Sequence, residues 1–163
     1  MLVGTEITEL AQELGHSLQS RGLKIVTAES CTGGAIGAAI TSVAGSSAWY
    51  EFGFITYSNA MKARYLNVPD ALMAEYGVVS EPVVAAMLKG AIASTSADVA
   101  IAVSGIAGPG GAVPGKPVGT VCMAWGDAHT PVVATQVFAG NRDQVREAAV
   151  KTALTGLIQL LLK

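Results

Sequence analysis

Ala28-Glu29-Ser30-Cys31-Thr32-Gly33-Gly34 follows the apolar run Ile25-Val26-Thr27 and precedes an alanine-rich stretch of helical composition. These residues predict a strand that ends at a serine and a helix opened by two glycines. A hydroxyl at such a junction lies beside outward-pointing backbone N–H groups at the positive end of a helix dipole. That setting suits a nucleophile whose product carries negative charge. It equally suits a plain helix cap by Ser30 or Thr32. The rest of the chain has to decide between the two.

Upstream, Ile7, Leu10, Ala11, Leu14 and Leu18 recur at helical spacing, predicting an amphipathic helix over 5–19 that Gly22 stops. Residues 23–28 read as a short buried strand and 34–43 as a helix of small residues. Downstream, 52–57 reads as a second strand, followed by short helices over 59–65 and 69–76, the latter closed by Gly77. Ser80-Glu81-Pro82 starts a helix, with Ser80 as cap and proline in the first turn. Val84, Met87, Leu88, Ala91 and Ile92 line one face of it. Residues 98–104 form a third, fully apolar strand, and the Gly/Pro-rich 105–117 is loop. Two more strands, 118–125 and 132–138, are joined by Gly126-Asp127-Ala128-His129. Asn141 caps the last helix, with Gln144 placed for a capping box.

Helices separate the first three strands, so those strands are expected to be parallel with right-handed crossovers. The terminal hairpin adds antiparallel pairing. The expected fold is a three-layer α/β/α sandwich on a mixed, mostly parallel sheet of about five strands. A chain of 163 residues fits a single domain over 1–163.

Half the residues are apolar and 13% are charged, as in a tightly packed domain with part of its surface buried in an oligomer. The net charge of -2 and the scattered basic residues argue against nucleic acid as a partner. No apolar run is long enough for a membrane span, and the first residues lack the pattern of a signal peptide. Cys31 and Cys122 are expected to be reduced thiols in the cytoplasm. Without CxxC, HExxH or a spaced His/Asp/Glu cluster, no metal site is expected.

Parallel strands bring their C-terminal ends to one edge of the sheet, where ligands bind in open α/β folds. Ser30-Cys31-Thr32-Gly33 follows the first strand, Tyr57-Ser58-Asn59 with Lys62 the second, and Ser104-Gly105-Ile106-Ala107-Gly108 the third. No histidine lies near these clusters, so a Ser-His-Asp triad lacks its base. A Ser30–Lys62 dyad fits instead, provided burial lowers the lysine pKa. Tyr57 would relay a proton or orient the pair. Cys31 is the rival nucleophile, with a packing role as the plainer alternative. The run 105–111 offers backbone N–H groups to a phosphate or carboxylate. Arg142 and Arg146, four apart on the last helix, offer guanidinium contacts to the same anion. Gly110 to Lys116 spells the start of a P-loop. Pro117 stands where Ser or Thr should hold magnesium, and a strand follows where a helix is required, so that reading is rejected.

These motifs resemble the CinA C-terminal-domain family. The resemblance is carried by Thr27-Ala28-Glu29-Ser30-Cys31-Thr32-Gly33-Gly34, Ala44-Gly45-Ser46-Ser47, Thr56-Tyr57-Ser58-Asn59 with Lys62, Gly77-Val78-Val79-Ser80-Glu81-Pro82-Val83, Ser104-Gly105-Ile106-Ala107-Gly108-Pro109 and Lys116-Pro117-Val118-Gly119-Thr120-Val121. It extends over nearly the whole chain, to the Arg142 region. It implies a nicotinamide-nucleotide amidase that converts nicotinamide mononucleotide and water to nicotinate mononucleotide and ammonia, in bacterial pyridine-nucleotide recycling. It further implies no metal or organic cofactor and a homodimer. Longer relatives carry an N-terminal pyrophosphatase-like domain, which this sequence is expected to lack. By motif, Ser30 would be the nucleophile, Lys62 its base and Tyr57 an assistant, with Ser104 and Arg142 contacting substrate. Thr32, Gly33, Gly34 and Gly105 would shape the oxyanion and substrate site. Gly140-Asn141-Arg142 stands where the family often has Gly-Asp-Arg, so one charge beside Arg142 is absent.

Overall fold

In the computed structural model, which describes residues 3–163, the opening stretch lies between strand β1 (Ile25–Glu29) and helix α2 (Ala35–Thr41). Gly33 and Gly34 turn the chain between them at φ 60° and 95°, angles that favour glycine. Around this unit run α1 (Thr5–Arg21), β2 (Tyr50–Ile55), α3 (Asn59–Leu66), α4 (Asp70–Tyr76), α5 (Glu81–Ala93), β3 (Val99–Gly105), β4 (Thr120–Gly126), β5 (Val132–Val137) and α6 (Arg142–Leu161). A single 3-10 turn at Ser46–Ala48, which the sequence pattern did not signal, leads into β2.

The strands form one sheet in the order β2-β1-β3-β4-β5. β1 pairs in parallel with β2 and β3, while β4 is antiparallel to both β3 and β5. The expected mixed five-stranded sheet is therefore present. Strand alternation divides the central strands between two cores. Ile25, Ile101, Val103, Val121 and Met123 face α1, α2 and α6. Val26, Ala28, Ala100, Ala102, Cys122 and Ala124 face α5, whose Val83, Val84, Met87 and Leu88 are buried on them. The small residues of that second face let α5 lie close to the sheet. At Gly90 the backbone of α3 comes so near that a Cβ would meet the Leu66 carbonyl oxygen. No helix among the described residues is long and apolar enough to cross a membrane.

The strand bounds shift by one or two residues from the expected ones, and three of the shifts shape the site. β2 ends at Ile55, so Thr56 and Tyr57 lie in the connection to α3 rather than in the strand. The Thr56 N–H still bonds Glu29 O, but its carbonyl is released from the ladder. β1 runs one residue further than expected and carries Glu29 into the buried sheet end. β4 starts at Thr120, because Gly119 turns the chain at φ 94° against the Phe138 backbone.

Candidate active site

Ser30 leaves β1 with its N–H bonded to Val103 O of the neighbouring strand, 3.0 Å away, which fixes the serine at the parallel sheet edge. Ser58 caps α3 by accepting the Met61 N–H, and this start angle sends Lys62 inward. Lys62 is 2% exposed. Its Nζ lies 3.1 Å from Ser30 Oγ and 2.7 Å from Thr56 O. No carboxylate pairs with it among the described residues. A buried ammonium without a counter-charge is costly, and burial holds the Lys62 pKa below the ordinary lysine value. Nζ donates to Thr56 O and to Ser30 Oγ; on losing a proton it can keep the bond to Thr56 O and turn its lone pair to the Ser30 hydroxyl.

Cys31 is buried beside Gly105, and burial pushes its thiol up to about 11, against a smaller downward pull from its own N–H. A thiol held protonated is a poor nucleophile and offers Lys62 no counter-charge. The geometry therefore leaves Cys31 the packing role.

Glu29, to which the sequence reading gave no role, organises the turn. Its carboxylate is 1% exposed and accepts four bonds. Thr32 Oγ1, Gly34 N–H and Ile36 N–H donate to Oε2 at 2.7, 3.1 and 3.0 Å, and Gly37 N–H donates to Oε1 at 2.9 Å. The start of α2 is thus filled by a carboxylate of the chain itself. This narrows the expected oxyanion site. Thr32 directs its hydroxyl to Glu29, Gly34 N–H does the same, and Gly33 N–H bonds Ser30 O. Among the described residues, the Cys31 and Thr32 N–H groups alone in this turn donate to no oxygen. The signal in the sequence was an acid at the end of an apolar strand, just before two glycines.

Arg146 clamps the same turn from α6. Its Nε donates to Cys31 O and its Nη2 to Thr32 O, both at 3.1 Å. In a trans peptide the N–H opposes the carbonyl, so fixing Cys31 O aims Thr32 N–H away from Arg146. Arg146 braces the turn with Nε and Nη2, while its Nη1 lies 3.9 Å from Asp143 Oδ1. Arg142 bridges two loops over the site, donating to Gly108 O and to Tyr57 Oη at 2.8 Å each. Tyr57 is exposed, and its hydroxyl meets Arg142 rather than Ser30 or Lys62. Ser104 is buried and donates to Val78 O at 2.9 Å, tying β3 to the segment before α5. Gly105, where a Cβ would collide with Cys31 Sγ and Val121, keeps the wall beside Cys31 thin. That wall opens into a cavity of about 390 Å³ lined by Gly77–Val79, Gly105–Gly108, Gly110, Gly111, Val113, Lys116 and Arg142.

The sequence model of the CinA C-terminal domain matches residues 7–161. A nicotinamide-nucleotide amidohydrolase PncC of Pseudomonas putida is 53% identical over 154 residues, covering 94% of this chain and 96% of its own. The protein of the same name from Escherichia coli K12 is 45% identical over 163 residues, covering 99% of each chain. Among solved structures, the competence/damage inducible protein CihA from Agrobacterium tumefaciens superposes with a TM-score of 0.94. It is 38% identical, and the alignment covers 100% of this chain and 99% of that one.

Proposed function

This chain belongs to the CinA C-terminal domain family, and on that premise we propose that it is a serine amidase releasing ammonia from nicotinamide mononucleotide. The observation that carries the mechanism is Ser30 Oγ at 3.1 Å from a buried, unpaired Lys62 Nζ. The substrate comes from the names of relatives that align along nearly all of the chain.

Neutral Lys62 takes the Ser30 proton as Oγ attacks the carboxamide carbon. The carbonyl oxygen becomes an oxyanion, met by the free N–H groups of Cys31 and Thr32. A well-placed donor of this kind is worth about 3–4 kcal/mol in the transition state. Lys62 then returns its proton to the leaving nitrogen, and the C–N bond breaks to give ammonia and an acyl-serine. Water attacks the ester, Lys62 accepts its proton, and the Ser30 oxygen leaves with it. Nicotinate mononucleotide departs and the dyad is restored. Thr56 O orients the lysine through both half-reactions. Tyr57 and Arg142 act together, as a hydrogen-bonded bridge over the site.

The same reading places the reaction in the recycling of pyridine nucleotides, in a cytoplasm that keeps both cysteines reduced. It also carries a homodimer, for which Phe52 and Ile55 on the outer strand β2 offer exposed apolar surface.

Ammonia release from nicotinamide mononucleotide by wild type and Ser30→Ala, with and without a chelator, tests the proposal. Release that survives chelation and disappears in the variant is expected. No release by the wild type, or undiminished release by Ser30→Ala, would overturn it.

A further inference from the structure

The cavity beside Gly105 has two charged side chains in its lining, Lys116 and Arg142, and both are cations. Their existing bonds differ. Arg142 spends two of its five N–H donors, one on Gly108 O and one on Tyr57 Oη, and these tie its head to two loops. Lys116 Nζ has one acceptor, Tyr76 O at 2.8 Å. An ammonium carries three donors, so two remain. The lysine backbone is anchored by a two-way bridge with Val113, N–H to O in both directions at 3.1 and 2.9 Å. Gly77 makes room for the amine, since a Cβ there would lie 3.0 Å from Nζ. On the same cavity wall, the N–H groups of Ala107, Gly108, Gly110 and Gly111 donate to no acceptor among the described residues.

An anchored cation with spare donors, in one cavity lining with residues whose backbone N–H groups are free and with no carboxylate, is a receptor for a compact dianion. We propose that Lys116 recognises the phosphate monoester of the substrate and makes this site select a nucleotide over the corresponding nucleoside. The choice of nucleotide rests on the amidase reading above; the anion-selective cavity does not. Arg142 is held by acceptors on two loops, whereas Lys116 is held by one and is the freer of the two to turn to an arriving charge. The sequence reading gave Lys116 no role beyond ending a false P-loop and opening a family motif. Its role becomes visible once the hairpin at Val113 folds it back over Gly77.

The test compares ammonia release from nicotinamide mononucleotide and from nicotinamide riboside, which lacks the phosphate, for wild type, Lys116→Met and Lys116→Arg. Bonds to a charged group of this kind correspond to a change of about 10- to 100-fold. Lys116→Met is expected to raise KM for the mononucleotide by about that factor while kcat changes much less. The riboside should lose under about threefold in kcat/KM, and Lys116→Arg should recover part of the mononucleotide preference. Inorganic phosphate should inhibit the wild type competitively and Lys116→Met far more weakly. Equal losses on both substrates, or an unchanged mononucleotide KM, would overturn the proposal. Calorimetric titration of Ser30→Ala, with and without Lys116→Met, by the mononucleotide and the riboside separates the two readings. If the wild type releases no ammonia but Ser30→Ala binds the mononucleotide through Lys116, the amidase reading fails and the phosphate site stands. If ammonia is released and the double variant binds both compounds as Ser30→Ala does, the phosphate site fails alone.

Discussion

The turn after β1 and the loop after β3 lie on the same edge of the sheet and treat their backbone donors in opposite ways. After β1, Glu29 accepts four bonds and Arg146 holds two carbonyls, which leaves two N–H groups beside Ser30 free. After β3, a run of N–H groups over 107–111 has no partner, and glycines at φ 86° and 95° shape it. The first arrangement leaves the reacting atoms one geometry, which is what lowering a barrier requires. The second keeps donors available for whatever anion arrives. Position in the sheet explains the split. Ser30 sits just past the end of a parallel strand buried between neighbours, whereas the loop spans the change to antiparallel pairing, where the chain can bulge outward.

The largest effects belong to the first region. Lys62→Met should lower kcat by about 10³-fold or more, since the base is removed with its shape kept. Glu29→Gln should follow, at about 10²-fold in kcat together with a lower Tm. The amide nitrogen cannot accept a bond, so buried N–H groups of α2 lose their partner. Gly110→Ala in the second region is the control. Gly110 has nothing within 4 Å of a Cβ, so Tm should hold and only KM should move. Steady-state kinetics with thermal melts on these variants checks the contrast. A Gly110→Ala melt as depressed as that of Glu29→Gln would break it.

The lysine also gives the first region a pH signature. Its pKa is lowered by burial, so kcat/KM should rise with pH as the proton leaves, with a midpoint below the ordinary lysine value of ~10.4. The sign for stability follows from the same shift. Between the folded and ordinary values the unfolded chain binds more protons than the folded one, so stability rises with pH across that window. Below the folded value the penalty for charging Lys62 is fully present and constant. Lys62→Met lacks this penalty at every pH. The Tm of the wild type relative to Lys62→Met should therefore improve as pH rises through the window, and a flat difference would show that Lys62 titrates normally.

Much of this architecture was legible in the chain. The period of 3.6 in α1, the Ser80 and Asn141 caps and the apolar run of β3 all report local physics, and local physics places elements. The meeting of Ser30 with Lys62 was legible because parallel strands bring their ends together. The partner of each polar atom was not. Glu29 fell just past the expected strand, and only the turn of α2 across it converts a lone acid into the acceptor for four donors. Arg142 and Arg146 share a helix face and looked interchangeable. The packing of α6 sends one to the turn carbonyls and the other to Tyr57. Ser104 fits its motif, yet its hydroxyl faces Val78, because the segment before α5 crosses there.

Cys31 gives the smallest expected effect and the sharpest check on which atoms of the turn matter. In the proposed mechanism the residue contributes a backbone N–H to the oxyanion and no side-chain chemistry. Cys31→Ala keeps the N–H and removes a buried sulfur whose pKa of about 11 leaves it protonated at neutral pH. Loss of one buried sulfur should cost about 1 kcal/mol of stability, while kcat should stay within about threefold. A profluorescent thiol reagent should meanwhile react slowly with the native wild type, since Cys31 and Cys122 are both buried. A large fall in kcat with an unchanged melt would move the chemistry onto sulfur. Lys62 would then serve as the base for a thiol, and the distance that matters would no longer be the one to Ser30.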